Sequence, residues 1–388
     1  MGKIVFFCIP AHGHTNPTLG VVRELISRGH QVFYYSYQPM REKIQATGAK
    51  FLPCDAYDPQ THLTPEDGER VGKDLAFSTQ LLVDMTLALD DAVLRDMQAL
   101  KPDVIVADSM AVWGKLIARK LNIPFVSSTT TFAFNRYSSK VIGSSGGSLL
   151  SLLRAMPGIN RNLKRLRARG YRVKSVLDII ANDNTTDTIV YTAREFQPCA
   201  ETFSERYAFV GASIRPVASP MERAEVPTVY ISMGTVLGSR EGFYRACVEA
   251  FRDRPYRVIL STGETDLSGS VPPNVQVFSR VDQMAVLAVS DVFITHCGMN
   301  SVNEALYFGV PMVLLPQTPE QGGVANRTAQ VGAGLRLDKT DPASIYAAVE
   351  QVLQEPSYRR AARAMSKAFR THHAAAEGAD KIASVMKS

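Results

Sequence analysis

The chain has 388 residues, 45% hydrophobic and 21% charged, with 43 Lys and Arg against 37 Asp and Glu, a net charge of +6. That length exceeds one ordinary core and predicts two domains of roughly 200 residues. The apolar runs fall short of the roughly 20 residues of a membrane span, so no integral membrane contact is expected. The modest positive charge comes with no recognisable nucleic-acid motif, and no nucleic-acid partner is expected. Five cysteines (8, 54, 199, 247 and 297) lie without metal spacing and suit reduced thiols in a cytoplasm.

In chain order, Ile4–Ile9 reads as a buried strand, too short to be the core of a signal peptide. A glycine-containing turn leads to a helix from Pro17 to Arg28, with Leu19, Val22, Leu25 and Ile26 on one face, Pro17 in its first turn and Gly29 closing it. Val32–Ser36, Asp103–Ala107 and Pro124–Ser127 read as further strands, with a helix over Ala111–Leu121. Thr188–Tyr191 and Ala208–Val210 complete this half. The alternation predicts a parallel sheet covered on both faces. Arg161, Lys164, Arg165, Arg167, Arg169, Arg172 and Lys174 read as a solvated helix face in preference to a nucleic-acid patch. The preceding Leu149–Leu153 leaves peripheral membrane contact or a greasy acceptor open. Pro216, Pro220 and Pro227 mark a linker. A second alternating series follows at Thr228–Ser232, Tyr256–Ser261, Val275–Phe278, Val292–Thr295 and Met312–Leu315. The tail from Pro342 has a helical pattern, amphipathic over Tyr358–Lys387. The expected division is 1–215, a linker at 216–227, 228–372, and a last helix at 373–388.

The most informative stretch is Thr295-His-Cys-Gly-Met-Asn-Ser-Val-Asn-Glu304, between a strand and a helix. A strand that turns through glycine into a helix presents free N–H groups and a positive dipole end, which bind phosphate. Gly298 and Met299 begin that helix, His296, Asn300 and Ser301 add side-chain donors, and Glu304, one turn on, can accept from ribose hydroxyls. The strand Met312–Leu315 runs on to Glu320-Gln321, an acid beside an amide that suits a sugar. This assembled run resembles the signature of the glycosyltransferases that use nucleotide-activated sugars and have two facing Rossmann-like domains (the GT-B fold, glycosyltransferase family 1). The likeness is above all to the bacterial branch that glycosylates macrolides, flavonoids and other small molecules.

The resemblance implies a fold and a site. The fold is α/β, two Rossmann-like domains with parallel sheets, the last helix crossing back to the first domain. Gly13-His14-Thr15-Asn16-Pro17 resembles the family's catalytic turn, which makes His14 the general base and Asp108, at a strand's carboxyl end, its partner. Ser232, Gly234 and Thr235 match a small-residue turn that lets a diphosphate approach, and Gly13 joins the donor site. Arg280-Val281-Asp282-Gln283 stands where the family usually has an aromatic platform and a proline. The Arg280 guanidinium can stack on a base, while Val281 and Gln283 bond the uracil edge. UDP is therefore expected, with TDP as the alternative. Phe132, Phe134 and Tyr137 line an acceptor pocket or belong to the core.

The implied reaction is inverting transfer of a hexose, glucose above others, from a UDP-sugar to a hydroxyl of a small hydrophobic acceptor. The nucleotide sugar is a co-substrate, no cofactor is needed, and the lack of an Asp-x-Asp pair predicts metal-independent transfer. The alternative is a catalytically silent GT-B helper that stabilises a partner transferase. Such helpers typically lose the turn histidine or the phosphate motif, and both are present here. Oligomeric state is left open.

Overall fold

The computed structural model describes residues 1–54, 56, 57, 64, 67, 70, 74–142, 149–217, 219–234, 240–267 and 271–386. Runs rich in Val, Ile and Phe become its central strands, because such side chains suit a parallel sheet buried on both faces. The first sheet contains β1 (Lys3–Phe7), β2 (Gln31–Ser36), β3 (Lys50–Pro53), β4 (Val104–Asp108), β5 (Phe125–Thr129), β6 (Asp187–Val190) and β7 (Tyr207–Phe209). Their order is β3-β2-β1-β4-β5-β6-β7, every pair parallel. The second contains β8 (Thr228–Ser232), β9 (Arg257–Ser261), β10 (Val275–Phe278), β11 (Val292–Thr295), β12 (Met312–Leu314) and β13 (Gly334–Arg336). It is also parallel, in the order β10-β9-β8-β11-β12-β13. In each sheet the order reverses direction once, between β1 and β4 and between β8 and β11. Crevices at such switch points are where open α/β sheets bind ligands.

The helices used below are α1 (His12–Ser27), α2 (Leu75–Leu100), α3 (Val112–Leu121), α4 (Leu149–Ala168), α5 (Glu241–Ala250), α6 (Gln283–Val289), α7 (Met299–Phe308), α8 (Pro319–Gln330), α9 (Pro342–Gln354), α10 (Pro356–Arg370) and α11 (Ala374–Met386). Among the described residues no helix is long and apolar enough to cross a membrane.

Two expectations change here. The first strand ends at Phe7, and α1 begins at His12, ahead of Pro17. The amides of His14 and Thr15 already bond to the Ala11 carbonyl, at 3.1 and 2.9 Å, so the helix is under way before the proline. Pro17 has no N–H to give to the carbonyl four residues back, which leaves the Gly13 carbonyl without its usual helical donor. The basic run is exposed as expected, with all seven of its side chains facing solvent. Three of these residues also make contacts within the domain: Arg165 of α4 pairs with Asp84 of α2 at 2.6 Å, Arg167 donates to the carbonyls of Val173 and Lys174, and Arg169, just past the helix, meets Asp91 at 3.0 Å and Asp90 at 3.4 Å. Part of the charge is thus spent inside the domain. The side chains of Leu149–Leu153 lie outside the described residues.

The last helix returns to the first domain. Ala374, Ala379, Ile382 and Val385 of α11 are buried with Leu19, Val22 and Leu25 of α1. A Cβ at Gly378 would stand 2.7 Å from Val21, so the two helices approach closely there. Lys381 pairs with Asp187 at 2.6 Å, and Arg28 with Asp380 at 2.5 Å. The chain therefore passes between the domains twice, near residues 211–227 and 371–373. The passages touch: Gly211 has φ +76°, and a Cβ there would lie 2.5 Å from that of His372. A cavity of about 600 Å³ beside them is walled by both passages and by the far ends of α1 and α7, at Glu24 and Phe308.

Because Ile382 is fully buried, Ile382→Ala should cost about 2–5 kcal/mol, read as a lower urea midpoint for the first domain. A change below about 0.5 kcal/mol would show that α11 contributes nothing to this core.

Candidate active site between the two domains

The turn after β1 and the end of β4 meet at the first switch point. His14 Nδ1 lies 2.8 Å from Asp108 Oδ2, and Thr130 Oγ1, beyond β5, lies 3.1 Å from the same nitrogen. Asp108 is buried, and its other oxygen accepts from the Met110 amide at 2.9 Å, which fixes the carboxylate. With the Nδ1 proton directed at Asp108, Nε2 is left as the acceptor. Burial pulls the His14 pKa down, and the charge and hydrogen bond of Asp108 outweigh it, so the net shift is upward. A carboxylate that raises imidazole basicity while orienting the ring is what general-base chemistry requires.

The second switch point holds the phosphate-type turn. Cys297 adopts φ +66°, unusual for a non-glycine residue, and swings the chain from β11 into α7. Gly298 is the N-cap of α7 with no side-chain cap, so the first N–H groups of that helix are free of any capping side chain. The His296 ring packs between two glycines. A Cβ would fall 2.7 Å from it at Gly234 and 2.6 Å at Gly298, so both positions exclude larger residues. Burial lowers the His296 pKa to about 4, leaving a neutral ring whose Nδ1 is buried without a partner. Ser232 closes the end of β8 beside Gly234. Thr235 lies outside the described residues.

A polar chain runs along one wall. The Tyr230 hydroxyl donates to Gln283 Oε1 at 3.0 Å, and Gln283 Nε2 donates to Ser301 Oγ at 3.3 Å and to the Glu304 carboxylate. Burial raises the Glu304 pKa to about 7, with the Gln283 bond opposing. Arg280 is exposed, Val281 is half-buried in the second core, and the Met299 side chain is buried there too, which leaves its backbone N–H for a ligand. The charge of Arg280 reaches His12 and Lys43 in the first domain and helps lower both pKa values, burial being the larger cause in each.

The domains meet through α7 and α8. Asn300 Nδ2 donates to the Gly13 carbonyl at 2.9 Å, filling the place that Pro17 cannot. Asn303, one turn on and buried, takes the Thr192 hydroxyl at 2.9 Å and gives to the Tyr191 carbonyl at 2.7 Å. Arg327 donates to the carbonyls of Phe196 and Glu195 at 2.9 and 2.8 Å. Glu320, at the start of α8, is raised by burial and held down by His14, so the carboxylate and the imidazole interact across the boundary. Gln321 accepts from the Gln317 amide at 2.8 Å.

The aromatic set splits. Phe132 is 1% exposed, and its ring stands 5.4 Å from Phe196 in the core shared by the domains, so it is a packing residue and its assignment to an acceptor wall is corrected. Phe134 and Tyr137 are 46% and 44% exposed. With exposed Met110, two residues after Asp108, they stand beyond the carboxyl ends of β4 and β5, the edge that carries His14. Arg136 lies 4.6 Å over the Tyr137 ring.

Sequence reasoning missed Thr130, Asn303, Arg327 and Arg240, whose Nη1 donates to Gln317 Oε1 at 2.7 Å. Thr130 had a signal, the polar run Ser127–Thr130 that follows an apolar strand at the active edge. Asn303 and Arg327 lie within or beside the motif runs, but nothing in the sequence marks them as facing the other domain, and Arg240 carries no signal.

Comparison with known proteins agrees with this geometry. The family model "Erythromycin biosynthesis protein CIII-like, C-terminal domain" matches residues 253–385. NDP-glycosyltransferase YjiC of Bacillus licheniformis is 33% identical over 398 residues, covering 98% of this chain and 96% of the relative. Demethyllactenocin mycarosyltransferase of Streptomyces fradiae is 33% identical over 354 residues, 86% of this chain and 75% of the relative. The crystal structure of CalG4, the calicheamicin glycosyltransferase, superposes with a TM-score of 0.81 at 28% identity, covering 100% and 98% of the two chains.

Asp108→Asn removes the charge that outweighs burial at His14, so the histidine pKa should fall below its ordinary value. A histidine-resolved NMR titration reads this directly. An unchanged pKa would separate His14 from Asp108.

Proposed function

The chain belongs to the bacterial family 1 glycosyltransferases of the two-domain GT-B fold, and on that premise we propose that it transfers a hexose, glucose above others, from a UDP-sugar to a hydroxyl of a small hydrophobic natural product, inverting the anomeric centre without a metal. The observation that carries this reading is the pairing across one cleft of an Asp108-bound imidazole with a free Nε2 and an uncapped helix N-terminus. Names of the relatives as transferases disfavour the silent-helper alternative.

His14 Nε2 takes the acceptor's hydroxyl proton while the oxygen attacks the anomeric carbon. The bond from that carbon to the diphosphate oxygen breaks, and UDP leaves with the electron pair on the opposite face. Positive charge at His14 is balanced by Asp108. The growing negative charge is met by the N–H groups of Gly298–Ser301 and the α7 dipole. Among the described residues no group of three or more His, Cys, Asp or Glu could hold a metal ion, and this helix end supplies an electrostatic alternative. Glu304 and Gln283 suit the ribose and the base, Glu320 and Gln321 the sugar hydroxyls. Exposed Phe134, Tyr137 and Met110 suit a flat apolar acceptor in the class of macrolides and flavonoids.

The test is mass spectrometry of acceptors incubated with UDP- and TDP-hexoses in EDTA. One hexose gained by wild type, and a loss of at least about 1,000-fold in His14→Ala with UDP binding kept, is the expected result. Wild-type turnover in that variant removes His14 as the base, and a loss in EDTA restored by Mn²⁺ removes the metal-free mechanism. Glu304 gives a separate pH signature. Its ionised form accepts ribose hydroxyls better, so binding favours proton release, and UDP affinity should be full above pH 7 and decline as pH falls through about 7. Glu304→Gln should lose that part of the slope, the nucleotide's own ionisation being common to both proteins. Identical slopes would take Glu304 out of the donor contact.

A further inference from the structure

Arg240 is the N-cap of α5, the helix that comes next in the chain after β8, and its guanidinium is tied to Gln317, beyond the end of β12. In the second sheet β11 lies between β8 and β12. A contact between a residue beyond β8 and one beyond β12 crosses the end of the strand between them, and the Arg240 charge reaches His296 there. The guanidinium therefore lies over the end of β11, where His296 and Gly298 form the phosphate-type turn.

Two further observations concern its charge. Among the described residues its bonded side-chain partner is the neutral amide of Gln317, and Arg240 Nε is buried with no partner at all. A neutral amide partner brings no counter-charge, whereas a carboxylate partner would already compensate the guanidinium. A buried, unpaired guanidinium N–H is costly unless a ligand supplies the acceptor. Gln317 is itself fixed, its Nε2 on the Leu315 carbonyl at 2.7 Å and its backbone N–H on Gln321 Oε1 at 2.8 Å. The chain Arg240–Gln317–Gln321 thus joins the phosphate turn to the residues read as sugar-binding. His296 Nδ1 is likewise buried and unpaired at the same end of β11.

We propose that Arg240 binds the terminal phosphate of the donor's diphosphate and stabilises the charge that develops there as the glycosidic bond breaks, a catalytic role beside the backbone N–H groups of α7. The assignment rests on the reading of this cleft as a nucleotide-sugar site and extends it by naming a cation for the leaving group. Guanidinium geometry suits this task, because two N–H groups can take two oxygens of one phosphate at once.

Calorimetry with UDP and UMP tests it, since the two ligands differ only in the terminal phosphate. Arg240→Ala should weaken UDP about 10- to 100-fold and UMP by less than about threefold. Arg240→Lys, which keeps the charge without the fork, should fall between. With the donor sugar saturating, kcat should also fall in Arg240→Ala. Unchanged UDP affinity overturns the assignment while leaving the donor site in place, and so does an equal loss for both ligands, which would mean that Arg240 only supports the pocket. If wild type binds neither nucleotide, the donor-site reading itself fails and this proposal falls with it.

Discussion

The two halves of the site are held in register by one buried amide. Asn303 points out of α7 into the first domain and finds both an acceptor and a donor there, the Tyr191 carbonyl and the Thr192 hydroxyl. Buried amides that lose such partners cost about 1–3 kcal/mol, so this contact admits one relative placement of the sheets. One helical turn earlier and on the same face, Asn300 takes the Gly13 carbonyl, and from α8 Arg327 takes two more carbonyls, those of Glu195 and Phe196. Every one of these bonds but one is donated by the second domain to a backbone carbonyl of the first, and in the exception the Thr192 hydroxyl of the first domain donates to Asn303 Oδ1. The helix whose N-terminus carries no side-chain cap is thereby the helix that docks on the turn of His14, so the candidate site and the domain packing share one element.

Within that frame the two histidines of the cleft are given opposite characters by their surroundings. His14 has a carboxylate on one nitrogen and becomes more basic in spite of burial. His296 has burial and a nearby guanidinium, and stays neutral. A neutral ring wedged between Gly234 and Gly298 shapes the turn without carrying charge at neutral pH. Environment, not residue type, assigns the roles.

Much of this was legible in the sequence, and the exceptions have physical reasons. β8 and β11 match the expected runs because a central parallel strand is apolar throughout and has sharp ends. β3 is an edge strand whose Lys50 and Pro53 are exposed, and β13 has three residues, so neither leaves a strong pattern. The start of α1 was misplaced because proline is commonest in a first turn. Here it lies inside the helix, and its cost is offset across the domain boundary by Asn300. The motif residues of the site were readable because each set is local, strand end to helix start. Phe132 could not be told from a pocket residue, and the roles of Asn303, Arg327 and Arg240 could not be read, because their meaning depends on which surface of the other domain, or which neighbouring strand, they face.

The two chain passages between the domains bear on how the cleft works. They run side by side, with Gly211 against His372, so together they form a single pivot. Helices α1 and α7 both lead from that pivot, near Glu24 and Phe308, to the cleft at Gly13 and Asn300. From Tyr307 back to Asn300 is two turns of helix, a lever of roughly 10 Å. A rotation of about 10° would move its tip by about 2 Å, enough to sever a hydrogen bond of ordinary length. Against such a swing stand the polar contacts of Asn300, Asn303 and Arg327, so these three side chains decide whether the start of α7 stays on the turn that carries His14.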